Sequence, residues 1–294
     1  MRHVSAILSN LFQDDDFVLS PSESREVRRG ARLLAGVLSG YSDLDSLLAG
    51  FQPSDLIVLA GVPQVGKTSL ALGIAYGAAI CHGKPVGYFS LQGDAVQMVR
   101  RLLAMESGVE ASRIAGGNLN DNEWDRISRA FGRLAESPLY ANDDSSINVS
   151  RIRVEIQRLE KEHGLELVII DDLQTLSVYS GQQFPNHQDD IVRDLKSVAK
   201  DFDIPVLLVN QISTGYRPLR VHLESIDCES IEEVADVVLL LQREELYKVD
   251  SERRGVADLQ IVKYRHGPVG SVNLRFFHRS ARFADLELYP GPGM

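Results

Sequence analysis

Gly61-Val62-Pro63-Gln64-Val65-Gly66-Lys67-Thr68 is the stretch that decides how this chain is read. It follows the apolar run 56–60 and precedes 67–81, which has the composition of a helix. A strand before and a helix after are the context that gives such a loop chemical meaning. Its glycines let the backbone curl so that successive N–H groups converge on one point. The helix N-terminus adds positive potential there. Lys67 supplies a cation for the β- and γ-phosphates of a nucleotide, and the Thr68 hydroxyl is suited to ligate magnesium. The expected nucleotide-binding residues are therefore Gly61, Val62, Pro63, Gln64, Val65, Gly66, Lys67, Thr68 and the adjoining Ser69, with ATP and Mg2+ as cofactors.

Outward from this loop, apolar strands alternate with amphipathic helices. Strands are predicted at 56–60, 86–91, 167–171, 206–210 and 237–242, and helices at 67–81, 94–106, 121–135, 148–162 and 188–201. Continuous apolar strands separated by helices imply a mostly parallel sheet flanked by helices. Beyond Val237 the helical pattern stops, and 256–262, 271–277 and 282–285 read as antiparallel strands, with Gly267-Pro268 as a turn. The fold class is α/β. The segment 1–35 stands apart. Val4, Ile7, Leu8, Leu11 and Phe12 have helical spacing over 3–12, and Ser20-Pro21-Ser22-Glu23 resembles a helix start leading into basic 25–33. A short helix is stable in water only when its apolar face is covered, by its own domain or by a neighbouring subunit. Residues 1–35 are read as a helical linker or docking segment, and 36–294 as the ATPase domain.

Composition narrows the classes without choosing among them. The 294 residues are 44% hydrophobic and 24% charged, which is ordinary for a globular protein. No apolar run approaches the ~18 residues that span a bilayer, and the start lacks the unbroken apolar region of a secretory signal. Cys81 and Cys228 form neither a disulfide framework nor a zinc spacing. A cytoplasmic protein without a membrane partner is expected. The net charge of −10 argues against a generally basic surface for duplex DNA but leaves room for a local basic lining.

Magnesium needs a second acidic element at the end of a neighbouring strand. Leu167-Val168-Ile169-Ile170-Asp171-Asp172 offers one, and Asp171, which ends the strand, is the metal-side candidate. A carboxylate here could instead cap the next segment. Hydrolysis also needs a group that orients or deprotonates water. At the tip of the strand after the first helix the chain reads Ser90-Leu91-Gln92-Gly93-Asp94. Gln92 orients a water but accepts no proton.

These residues resemble the helicase domain of the DnaB replicative helicase family, within the RecA-like P-loop ATPases. Gly40-Tyr41-Ser42-Asp43-Leu44-Asp45 and Gly50-Phe51-Gln52-Pro53-Ser54-Asp55-Leu56-Ile57 are similar to that family's entry into its first core strand. Phe89-Ser90-Leu91-Gln92 resembles its Phe-Ser-Leu-Glu, and Asp171-Asp172-Leu173-Gln174 its Asp-Tyr-Leu-Gln. Asn210-Gln211-Ile212-Ser213 is similar to its Ser-Gln-Leu-Ser, and Ile231-Glu232-Glu233-Val234-Ala235-Asp236 to its Ile-Glu-Gln-Asp-Ala-Asp. Lys263-Tyr264-Arg265-His266-Gly267-Pro268-Val269-Gly270 resembles its Lys-Gln-Arg-Asn-Gly-Pro-Thr-Gly. The ordered match runs from about Gly36 to Phe283. It implies a RecA-like fold and ATP hydrolysis coupled to translocation on single-stranded DNA and duplex unwinding, within a homo-hexameric ring. It gives Arg101 a reach toward the γ-phosphate and makes Gln211 a sensor of that phosphate. It also makes Lys263 and Arg265 a pair that enters the neighbour's site, where an arginine finger stabilises charge in transfer. Taken alone, Lys263 and Arg265 are two exposed strand residues.

Three departures qualify the resemblance. Gln92 replaces the family's glutamate, so either hydrolysis is slow or another carboxylate, Asp172 or Asp94, substitutes. The family's N-terminal collar domain has no counterpart in 1–35. The loop expected at DNA is altered: Tyr216 is suited to stack on a base and Arg217 and Arg220 to meet phosphates, though a solvated loop with incidental arginines reads equally simply. Two other functions compete with the helicase: a catalytically weakened ATP-binding ring serving as scaffold or regulator, and a small-molecule or clock-type phosphotransferase.

Overall fold

The computed structural model describes residues 1–11, 36–179, 187–212, 229–248 and 250–286. The strands are β1 (Arg2–His3), β2 (Leu56–Gly61), β3 (Val86–Ser90), β4 (Leu139–Asn142), β5 (Leu167–Asp171), β6 (Val206–Gln211), β7 (Val237–Gln242), β8 (Val256–Tyr264), β9 (Gly270–Phe277) and β10 (Arg282–Asp285). They form one sheet in the order β1-β4-β3-β5-β6-β2-β7-β8-β9-β10. From β4 to β7 every pairing is parallel, while β1 and the run β8-β9-β10 are antiparallel. β2, β3 and β5 are buried along their whole length, as strands covered on both faces must be. β8 alternates between buried and partly exposed positions, the signature of a sheet with one wet face. The predicted strands and the switch to antiparallel pairing are thus observed.

The longer helices lie where expected: α3 (Lys67–Tyr76, continued by a π turn, Gly77–Cys81), α4 (Ala95–Ser107), α6 (Asp121–Ala135), α7 (Val149–His163) and α9 (His187–Phe202). Shorter ones, unpredicted except for the first, are α1 (Val4–Leu11), α2 (Ser42–Leu48), α5 (Ala111–Gly116), α8 (Leu173–Tyr179) and α10 (Glu229–Val234). α4, α6 and α7 each begin at a side-chain cap, from Asp94, Asn120 and Asn148 respectively. No helix among the described residues is long and apolar enough to cross a membrane.

Residues 1–11 join the chain's own core. β1 pairs with β4, and α1 lies on α4 and α6 with Val4, Ile7 and Leu8 fully buried. For this stretch, own-domain packing is the arrangement found; the expected helix start at Ser20 and the basic run 25–33 lie outside the described residues.

The entry segment is held by glycine. Ser39, Gly40 and Tyr41 cross α3 so closely that a Cβ on Gly77 would overlap the Ser39 carbonyl oxygen and approach Gly40 Cα to 2.8 Å. Asp45 fixes the crossing by accepting from the backbone N–H groups of Ser39 (2.7 Å) and Gly40 (3.2 Å). In an isolated helix a glycine-to-alanine change favours the helix by about 1 kcal/mol. Here the sign is expected to reverse: Gly77→Ala lowers the denaturant midpoint of unfolding, whereas Gly132→Ala, on a helix with open space at that position, raises it.

Candidate functional site

β2 delivers the loop 61–66 to the carboxyl edge of the parallel sheet, the edge at which open α/β sheets bind ligands. Gln64 (φ 63°) and Gly66 (φ 109°) take left-handed backbone, so the chain doubles back and launches α3 at Lys67. The Gly66 position is also crowded: a Cβ there would come within 2.9 Å of the Phe283 ring. Lys67 is 8% exposed, and its Nζ donates to the carbonyls of Gly61 and Val62, both at 2.9 Å. Burial pushes the Lys67 ammonium down to about 8, against the opposing pull of Asp171 and Asp172.

Asp171 ends β5 as predicted and is 5% exposed. Tyr88, from the adjacent β3, donates its hydroxyl to Asp171 Oδ2 at 2.9 Å, and Thr68 hydrogen-bonds the same carboxylate. Burial raises the Asp171 carboxyl above its ordinary range; the Tyr88 and Thr68 hydrogen bonds and the Lys67 charge lower it, while Asp172 raises it further. A hydroxyl and a buried carboxylate side by side are hard oxygen donors, which suit magnesium.

The capping role belongs to Asp172. Its Oδ1 accepts from Thr175 N at 3.0 Å, starting α8, and its Oδ2 accepts from Gln92 Nε2 at 2.6 Å. Asp94 is engaged as the cap of α4, accepting from Gln97 N at 2.6 Å. Thr68, Gln92, Asp94, Arg101 and Asp171 share one cavity of about 140 Å³, so α4 brings Arg101 to the same cavity as Thr68 and Asp171. Gln211, at the end of β6, is exposed and pairs in register with Gly61 of the loop.

Lys263 and Arg265 lie elsewhere. Arg265 Nη1 donates to Asp236 Oδ1 at 2.8 Å, and Lys263 Nζ donates to the carbonyl oxygens of Glu232 and Glu233. Asp236 N donates to Leu56 O, at the foot of β2, whereas Gly61 is at its head. Five residues of strand, at ~3.3 Å each, place the pair roughly 17 Å from the loop of its own chain. Tyr216, Arg217 and Arg220 lie outside the described residues.

Sequence reasoning missed Tyr88 and Gln174. Tyr88 sits inside an apolar strand and gives no polar signal; Gln174 is quoted in a motif but reads as an ordinary helix residue.

The DnaB-like helicase C terminal domain model matches residues 36–285. The chain belongs to this family. It is 37% identical over 263 residues to the replicative DNA helicase DnaC of Bacillus subtilis, and 36% identical over 263 residues to the replicative DNA helicase DnaB of Geobacillus stearothermophilus. Each alignment covers 86% of this chain and 57% of the relative, so the chain spans little more than half the length of these proteins. Among solved structures, the ATPase domain of G40P superposes with a TM-score of 0.81 at 27% identity, covering 86% of this chain and 92% of that one. A DnaB-like replicative helicase studied with primase gives 0.80 at 26% identity, over 87% of this chain and 64% of that one. The RecA-like expectation of a parallel sheet with an antiparallel end matches these DnaB-family neighbours.

Tyr88→Phe removes a donor from a buried carboxylate and is expected to cost about 1–3 kcal/mol in chemical denaturation. In an Asp171→Asn background the same change should cost much less, because the charge that needed the donor is gone.

Proposed function

We propose that this chain is the motor module of a replicative DNA helicase: it binds ATP with magnesium, hydrolyses it in a homo-hexameric ring, and couples the cycle to movement along single-stranded DNA and strand separation. The observation that carries this reading is the convergence of Lys67, Thr68, Asp171, Gln92 and Arg101 on one edge of a DnaB-family sheet. In this reading the loop amides and Lys67 grip the β- and γ-phosphates. Thr68 and Asp171 hold magnesium, which supplies charge neutralisation for the transferring phosphoryl group. The cavity of about 140 Å³ suits a phosphoryl group and a water. The nucleoside is left to the neighbouring cleft of about 560 Å³, lined by Arg243, Arg275 and Phe276 and joined to the loop through Phe276.

The acidic group absent at position 92 returns at 172. In the family's motifs these positions carry Glu and Tyr; here they carry Gln and Asp, and the two side chains meet at 2.6 Å. Gln92, held by its amide nitrogen, keeps its Oε1 to accept from the attacking water, and Asp172 supplies the fixed negative charge behind it. Asp172→Asn is therefore expected to lower Mg-ATP turnover about 10²–10⁴-fold with nucleotide affinity kept. Gln92→Glu, which sets two carboxylates at hydrogen-bond distance, is expected to give no gain. Should Gln92→Glu raise turnover by that factor while Asp172→Asn changes nothing, the site is a weakened one and the scaffold reading takes over.

The position of Arg265 supports action in trans. With Lys67→Ala subunits unable to hold nucleotide and Arg265→Ala subunits unable to complete a neighbour's site, each variant alone is expected to be inactive. Mixtures should regain turnover in the presence of single-stranded DNA, because hybrid rings pair an intact loop with an intact finger. A mixture as inactive as its parts removes the ring from the proposal.

A further inference from the structure

We propose that Gln174, on the first turn of α8, is a positioning residue that locks Gln211 to the Gln92–Asp172 pair, so that a change at one end of this bridge is carried to the other. The proposal rests on the reading of Gln92 and Gln211 as residues of the γ-phosphate side.

Strand order keeps these two residues apart. Gln92 follows β3 and Gln211 ends β6, with β5 between them. The β5–β6 ladder stops at Ile170 and Leu208, so the last residues of β6 receive no pairing from β5. Gln174 fills that gap. Its Oε1 accepts from Gln211 N at 3.0 Å, and its Nε2 donates to Gln211 O at 2.9 Å and to the buried Asn210 Oδ1 at 2.7 Å. A side-chain amide thus replaces the missing strand, exchanging both hydrogen bonds with one backbone unit as a neighbouring residue of a ladder would. On its other side Gln211 lies in register with Gly61, and Ile212 N donates to Gly61 O at 3.0 Å. Gln211 is therefore held between the phosphate loop and α8.

The opposite end of the bridge is equally fixed. Asp172 caps α8 through Thr175 N and accepts from Gln92 through its other oxygen. Leu173 and Leu176 are fully buried, so the turn moves as one body with its core contacts. Between Gln92 and Gln211 the path is Nε2 to carboxylate, carboxylate to the first helical turn, and the Gln174 amide to β6. Each hydrogen bond in it is 3.0 Å or shorter. Coupling across such a bridge requires rigid elements with directional contacts at both ends.

The test compares the full chain with Gln174→Met, which keeps the volume and loses every hydrogen bond, and with Gln174→Glu, which keeps the acceptor for Gln211 N and loses both donations. Amide hydrogen exchange is measured with and without magnesium and a non-hydrolysable ATP analogue. In the unaltered chain the nucleotide is expected to slow exchange both in the loop 61–66 and in 206–212. In Gln174→Met the loop keeps its protection and 206–212 loses it; Gln174→Glu is intermediate. Turnover with single-stranded DNA is expected to fall about tenfold in Gln174→Met at unchanged KM for ATP. Equal nucleotide protection of 206–212 in the unaltered chain and in Gln174→Met would overturn the proposal, as would its absence from both. Loss of loop protection in Gln174→Met alone assigns the residue a merely structural role and overturns it too. No protection of the loop in the unaltered chain refutes the nucleotide reading itself, a failure distinguishable from the others.

Discussion

An ammonium group buried in a loop of its own backbone, beside two buried carboxylates, is the constraint around which this molecule is arranged. Among the described residues Lys67 hydrogen-bonds the Gly61 and Val62 carbonyls, and burial lowers its proton affinity. A buried charge is costly unless it is paired and hydrogen-bonded. The sheet makes the arrangement tolerable. β2, β3 and β5 are buried throughout, and at the carboxyl edge Tyr88 and Thr68 satisfy Asp171 and Thr175 and Gln92 satisfy Asp172.

A second cluster of charge occupies the other end of the same strands. Asp236 accepts from Lys196, Arg265 and Leu56 N, and Asp55 lies beside His266. Arg265 is half-exposed in this cluster, so its ion pair contributes little and can be exchanged. If Arg265 swings away to a phosphate on another copy, Asp236 keeps Lys196 and a backbone donor and is not left as an unpaired buried carboxylate. The foot of the sheet can thus release a guanidinium without unsettling the core. The roughly 17 Å between foot and loop prevents its use within one chain.

The loop, its strand and helix, and the positions of the longer parallel strands were legible in the sequence because each depends on local pattern: apolar runs, helical spacing and a motif tied to backbone geometry. The spatial order of the strands was not, because it is set by long-range pairing. Nor were β4 (Leu139–Asn142) and α8, since four or seven residues carry too little periodicity to separate from loop. Asp171 was legible because it ends an apolar run. The division of labour between it and Asp172 was not, because capping depends on where the next helix starts. The packing of Val4, Ile7 and Leu8 could not be read either, as an amphipathic helix announces a covered face without naming what covers it. Tyr88 was invisible because an aromatic residue in a buried strand satisfies the apolar pattern whether or not its hydroxyl has work to do.

Position 92 gains its meaning only from position 172. Read along the chain, Gln92 is a missing base and Asp172 a spare acid, and the pair suggests decline. Read in space, the two changes are one. With Asp172 present, a glutamate at 92 would face another carboxylate across a hydrogen-bond distance, and the two could not both ionise without a large cost. A glutamine there donates instead, and the donation fixes its side chain. The tyrosine of the family's motif would offer no such acceptor charge. On the proposed reading, the negative charge beside the attacking water is supplied from position 172 rather than from position 92. Because Asp172 also caps α8, that carboxylate is bonded directly to the helix whose first turn grips the end of β6. In the proposed function, the pair that departs from the family's motifs thereby ties the hydrolytic site to its neighbouring strand.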